Sequence, residues 1–142
     1  MTTIATDGKS MAGDGRTHLR GTITNDEAVK VERLRDGRLF GACGSVQDST
    51  QVRNWLNDGG DKPQVDDDFG ALLLSTDGSI HWLSRKLEPE PASAPAAMGS
   101  GMDFALGAML AGREPAFAVN IAAKRDVYTG GTITVLHLGE PQ

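Results

Sequence analysis

Cysteine is nearly missing from the chain. Cys43 stands alone among 142 residues, so no disulfide can close within it and a disulfide-stapled scaffold is excluded. Basic charge is also short: 14 Lys and Arg face 19 Asp and Glu, for a net charge of −5. No basic stripe is available to hold phosphates, and nucleic acid is not expected as a partner. No apolar run approaches the ~18 residues that span a bilayer. The opening residues lack the basic and apolar regions of a signal peptide, so no membrane partner and a cytoplasmic location are expected. Histidine is sparse. His18, His81 and His137 lie far apart without an i, i+4 pair, so each reads as a strand-surface residue and no metal is expected. No Gly-rich phosphate loop and no G-x-S-x-G elbow occurs, and no cofactor is expected.

What is present suits one ordinary domain over residues 1–142, long enough for a real core. The 18 glycines point to many tight turns. Residues 3–6 read as a strand, Asp7-Gly8 as a hairpin turn and residues 10–15 as the returning strand. Residues 19–24 read as extended. Residues 28–34 read as a strand with Val29 and Val31 on one face and Ala28, Lys30 and Glu32 on the other. Asp36-Gly37 turns this strand into its mate over residues 38–44. Ser45 with Asp48 resembles a capping box opening a helix over 46–57, with Val46, Val52, Trp55 and Leu56 as its apolar residues and Gly59-Gly60 as its stop.

Residues 61–68 form a polar connection. Residues 69–75 and 79–84 are strands joined at Asp77-Gly78. Residues 88–97 carry three prolines and read as irregular. Ser100 caps a helix carried by Met102, Leu106, Met109 and Leu110, and Pro115 starts another that ends in Lys124-Arg125. Residues 127–138 close with a strand. Blocks of strands separated by helices, without βαβ alternation, indicate an α+β class of sheets packed with helical layers.

Chemistry concentrates at the start. Removal of Met1 would leave Thr2 with a hydroxyl and a free α-amine on one residue, a nucleophile carrying its own base. An α-amine titrates near ~7.7–8.0, so much of it is neutral at physiological pH. Lys30 on its strand, Asp14 between two glycines, Asp126 before Thr129-Gly130-Gly131, and Ser100 are polar residues at strand and helix ends. Each also has an ordinary reading as a solvated lysine, a turn aspartate or a helix cap. Cys43 reads as a small buried strand residue.

Taken together, Thr2-Thr3-Ile4, Ala12-Gly13-Asp14-Gly15, Val29-Lys30-Val31-x-Arg33-Leu34, Gly41-Ala42-Cys43-Gly44-Ser45, Gly99-Ser100-Gly101 and Arg125-Asp126-x-x-Thr129-Gly130-Gly131 give a specific pattern. In that order the chain resembles the proteasome β-subunit/HslV-like family of N-terminal nucleophile hydrolases, over nearly its whole length. The resemblance implies an αββα sandwich of two antiparallel sheets between helical layers, and a threonine endopeptidase. Thr2 would be the nucleophile, Lys30 the cation beside it, and Asp14 the partner that holds Lys30. The Gly44 N–H would face the oxyanion. Ser100, Asp126 and Thr129 would orient the α-amine and its water, with Thr129 standing where the family usually has Ser. A homo-oligomeric ring, peptide or unfolded-protein substrates and an AAA+ unfoldase partner are likewise implied.

Strand geometry adds to this. Ala28 and Glu32 share a face with Lys30 and, with Thr17, Ala42 and Val46, are candidates for the substrate pocket. Small walls and one acidic residue predict tolerance of apolar or basic side chains. In the family a long second helix follows the first; here residues 61–68 hold a polar, proline-containing stretch, so a shortened first helical layer is expected. The alternatives are a non-compartmental amidase or processing peptidase of the same fold, and a catalytically silent assembly or scaffold protein.

Overall fold

A computed structural model describes residues 2–140. The hairpin of β1 (Thr3–Thr6) and β2 (Ser10–Gly13) forms the middle of a four-stranded antiparallel sheet in the order β10-β1-β2-β11, where β10 is Ala96–Gly99 and β11 is Thr134–His137. A five-stranded antiparallel sheet runs β5 (Val31–Arg33), β6 (Leu39–Cys43), β7 (Gly70–Leu74), β8 (Ile80–Leu83) and β9 (Glu90–Ala92). A separate hairpin joins β3 (Thr17–Leu19) to β4 (Thr22–Asn25).

Successive residues on a strand point to opposite faces, and here both faces of each sheet are covered. Ile4 and Met11 meet Val31, Leu39, Leu72, Leu74 and Ile80 in a core between the two sheets. Their neighbours Ala5 and Ala12 face the other way, onto α2 (Met102–Leu110) and α3 (Pro115–Ala123) through Ala105, Met109, Ala118 and Val119. On the opposite side Phe40, Ala71 and Leu73 pack against Val52 of α1 (Val46–Asp58), with Trp55 and Leu56 alongside. The layers are therefore α1, five strands, four strands, then α2 with α3. This accounts for the unbroken apolar run Ala71-Leu72-Leu73-Leu74, which has no solvent-facing side.

The expected α+β sandwich is present, and α1 alone forms its layer on the five-stranded side; residues 61–69 contain no helix. The Ser45 hydroxyl accepts the Asp48 N–H at 3.0 Å and caps α1. Several expectations shift. Residues 19–24 are a turn at Arg20-Gly21 between two strands, both residues having positive φ. The strand expected over 28–34 narrows to Val31–Arg33, because the Ala28 N–H bonds the Gly15 carbonyl instead of extending the ladder. Val29 consequently lies exposed, not on the buried face with Val31. The proline-rich stretch contains β9 and β10; β9 is an edge strand, where Pro91 costs no interior ladder bond. Ser100 does not cap α2, whose N-cap is Gly101 without a side-chain bond. The last helical residue of α3 is Ala123, so Lys124 caps the helix and Arg125 follows it. The closing strand begins at Thr134, not at Val127.

Candidate active site

The start of β1 lies against the loop that links β2 to β3. Thr3 donates its N–H to Asp14 Oδ1 at 3.0 Å, and the Asp14 N–H returns to the Thr3 carbonyl. Asp14 has no solvent exposure. Its Oδ1 also accepts Lys30 Nζ at 2.9 Å, and its Oδ2 accepts the N–H groups of Arg16 and Gly130 at 3.2 and 3.1 Å. Such a carboxylate is fully satisfied and stays put. Lys30 also donates to the Arg16 carbonyl. Burial lowers the Lys30 pKa, and the attraction of Asp14 restores it only in part. The ammonium is thus held firmly, and burial makes its proton easier to lose than that of an ordinary lysine.

A second polar chain approaches from the other end of the molecule. Ser100 Oγ and Thr129 Oγ1 both donate to Asp126 Oδ2, each at 2.6 Å. Since the Thr129 hydroxyl is committed to Asp126, the Thr3 hydroxyl is the donor in the 2.7 Å contact between Thr3 and Thr129. Ser100 Oγ lies 3.4 Å from the Thr2 carbonyl oxygen. Burial pushes the Asp126 pKa up. The hydrogen bonds from Ser100, Thr129 and the Tyr128 N–H outweigh it, leaving the group below the usual carboxylate range. Gly99 makes the approach feasible: a Cβ built there would stand 1.8 Å from the Thr2 carbonyl oxygen.

Thr2 is buried, 4% exposed, and lines a cavity of ≈ 290 Å³. Lys30 and Gly44 line the same cavity, as do Thr17, Ala28, Glu32, Ala42 and Val46. Gly44 has φ +113 and a Cβ there would sit 3.3 Å from Phe69 Cα, so only glycine takes this backbone turn without strain. Asp14, Ser100, Asp126 and Thr129 lie behind Thr2 and Thr3, outside the cavity lining. Met1, whose removal the sequence reading requires, lies outside the described residues.

Two expectations change. Val46 does not pack into the core under α1 but is exposed at the cavity rim. Glu32 is not an isolated acidic wall, because Arg53 Nη1 bonds both its oxygens at 3.1 and 3.3 Å. The sequence reading missed Arg53 and Arg16, and took His18 for a surface residue. His18 is half-buried, lines the cavity and packs on Tyr128 with ring centroids 4.7 Å apart. Arg53 was accessible: Val46, Ser49, Thr50 and Arg53 recur at helical spacing, so a helix that presents Val46 presents them too. Arg16 paired with Asp26 at 2.9 Å carries no such signal. Burial raises the pKa of Cys43, which therefore remains a protonated thiol. Among the described residues no three His, Cys, Asp or Glu side chains stand together as metal ligands, and no helix is long and apolar enough to cross a membrane.

No protein-family model and no curated protein sequence matches the chain. Solved structures do. Thiobacillus denitrificans BPH superposes with a TM-score of 0.73 at 20% identity, covering 99% of each chain. The same protein in complex with epoxomicin gives 0.70 at 18% identity, over 98% of this chain and 99% of that one. Eukaryotic HslV from Trypanosoma brucei gives 0.72 at 18% identity, over 96% and 99%. At these identities the likeness concerns architecture, and the chain has the αββα sandwich fold of BPH and HslV.

Proposed function

We propose that this chain is a threonine peptidase that cleaves peptide bonds through Thr2 after Met1 is removed. The observation that carries the reading is that Thr2 and Lys30 line one cavity, with Lys30 held by the buried Asp14 outside its lining. The neutral α-amine of Thr2 takes the hydroxyl proton as Oγ attacks the amide carbonyl. Lys30, held by Asp14, keeps positive charge beside the forming alkoxide. The Gly44 N–H donates to the tetrahedral oxyanion, a contribution of about 3–4 kcal/mol in comparable sites. The departing amine takes the proton from the α-ammonium and an acyl ester remains on Oγ. Water, deprotonated by the same amine, then releases the acid and restores Thr2. Ser100, Asp126 and Thr129 form the network that meets the Thr2 carbonyl and the Thr3 hydroxyl.

Self-association into a ring is part of the proposal. Leu19 and Ile23, 65% and 50% exposed, sit on the β3–β4 hairpin, which pairs with neither sheet. Light scattering on the purified protein reads the assembly; a monomer removes this part of the proposal.

The decisive experiment combines intact mass with active-site labelling. The mature chain is expected to begin at Thr2 and to gain one molecule of epoxomicin, the compound found in the BPH complex. Thr2→Ala should gain none while keeping its circular dichroism. A correctly trimmed chain that forms no adduct and cleaves no peptide would remove the peptidase reading.

A further inference from the structure

The cavity is lined by four charged side chains, Arg16, Lys30, Glu32 and Arg53. Each has an oppositely charged partner: Arg16 with Asp26 at 2.9 Å, Lys30 with Asp14 at 2.9 Å, and Glu32 with Arg53 at 3.1 Å. The lining itself carries three cations and one anion, and the charge balances only when Asp14 and Asp26, which lie outside it, are counted. The Glu32–Arg53 pair differs from the others because both its members line the cavity. Glu32 comes from β5 and Arg53 from α1, so the pair bridges two walls.

We propose that this pair makes the cavity select an uncharged side chain, an amide foremost, at the residue preceding the scissile bond. The proposal rests on the reading of Thr2 as the nucleophile. An incoming carboxylate would compete with Glu32 for Arg53 and repel it. An incoming ammonium or guanidinium would compete with Arg53 in the same way. A primary amide does neither: its N–H₂ donates to the Glu32 carboxylate and its carbonyl accepts from Arg53, while the two ions keep one another. Small neutral side chains meet Ala28, Ala42 and Val46 without disturbing the pair. The side chains of Glu32 and Arg53 are 35% and 33% exposed, so water softens the penalty for a charged competitor. Discrimination of about 10-fold is the expected scale for such a site.

The pair also masks two opposite specificities. Removing Glu32 leaves Arg53 with the neutral Asn54 as its bonded partner, and removing Arg53 leaves Glu32 without its cation, so Glu32→Gln should favour acidic and Arg53→Gln basic side chains. The test is kcat/KM for peptides that differ only at that residue, carrying Gln, Ala, Glu or Arg. Wild type should cleave after Gln and Ala about 10-fold faster than after Glu and Arg. Glu32→Gln should gain about 10-fold after Glu alone, and Arg53→Gln a similar factor after Arg alone. Fastest wild-type cleavage after a charged residue overturns the proposal, as do variants that move Glu and Arg in the same direction. The wild-type panel decides even where a variant fails to fold. If trimmed wild type forms no epoxomicin adduct and cleaves none of the peptides, the nucleophile reading fails and takes this proposal with it. If it forms the adduct yet cleaves all four equally, only the pocket proposal falls.

Discussion

Lys30 donates to Asp14 across 2.9 Å, and the carboxylate that receives it is wholly shielded from solvent. Only 10% of the lysine side chain is exposed. Two charges withdrawn from water this far stand or fall as a pair. Asp14→Asn keeps the shape and strands the ammonium, so it should destabilise the fold by about 3–5 kcal/mol in urea unfolding. The double variant Asp14→Asn, Lys30→Met should recover part of that stability, because no uncompensated charge remains. Neither variant should hydrolyse peptides at a measurable rate. A double variant less stable than Asp14→Asn would contradict this account of the pair.

Gly44 has φ +113, and a Cβ added there would stand 3.3 Å from Phe69 Cα. Gly44→Ala should cost about 1–3 kcal/mol of stability from backbone strain. Its N–H would swing off the line to the oxyanion, lowering kcat by about 10²-fold. KM should change little, since ground-state binding does not use that bond. Steady-state kinetics separates the two, and a loss confined to KM would remove Gly44 from the proposed oxyanion site.

Ile4 has no exposure and belongs to the core between the sheets, two residues from Thr2. Ile4→Ala should leave a cavity and cost about 2–5 kcal/mol. Because β1 carries Thr2, epoxomicin labelling should slow as well, even well below the melting temperature. Unchanged labelling would mean that β1 is positioned by its ladder bonds alone.

Asp126 has a pKa below its ordinary value, so the unfolded chain binds its proton more readily than the folded one between the two pKa values. Its stabilisation is present above the unfolded pKa and is lost as pH falls through the folded one. Lys30 is also lowered, with the opposite charge consequence: its ammonium costs stability near neutrality, and that cost fades as pH rises from the folded pKa towards the unfolded one. Unfolding measured from pH 7 down to acid should therefore be less steep for Asp126→Asn than for wild type. An identical slope would mean that Asp126 is not linked to folding.

The residues of the cavity show which inferences a chain permits before it folds. Parity assigns Ala28, Lys30 and Glu32 to one face, and all three line the cavity, but so does Val29, since the strand begins only at Val31. Thr17, Ala42 and Val46 join them there. Val29 was misassigned because alternation assumes a regular ladder, and the Ala28–Gly15 bond interrupts it. Ser100 was legible as a polar residue at a helix start, yet its oxygen serves Asp126, 26 residues away, and not the helix.

Local chemistry was enough to set the hairpins at Asp7-Gly8, Asp36-Gly37 and Asp77-Gly78, the Ser45 cap of α1, and the doubly buried run at Leu72 to Leu74. These depend on backbone sterics and side-chain period over a few residues, which the order of amino acids carries directly. The pairing of β1 with β10, the bond from the Gly130 N–H to Asp14 across 116 positions, and the Glu32–Arg53 bridge were decided by folding. Each needs two surfaces brought together from distant parts of the chain, where many partners compete and only packing of the whole sandwich selects one.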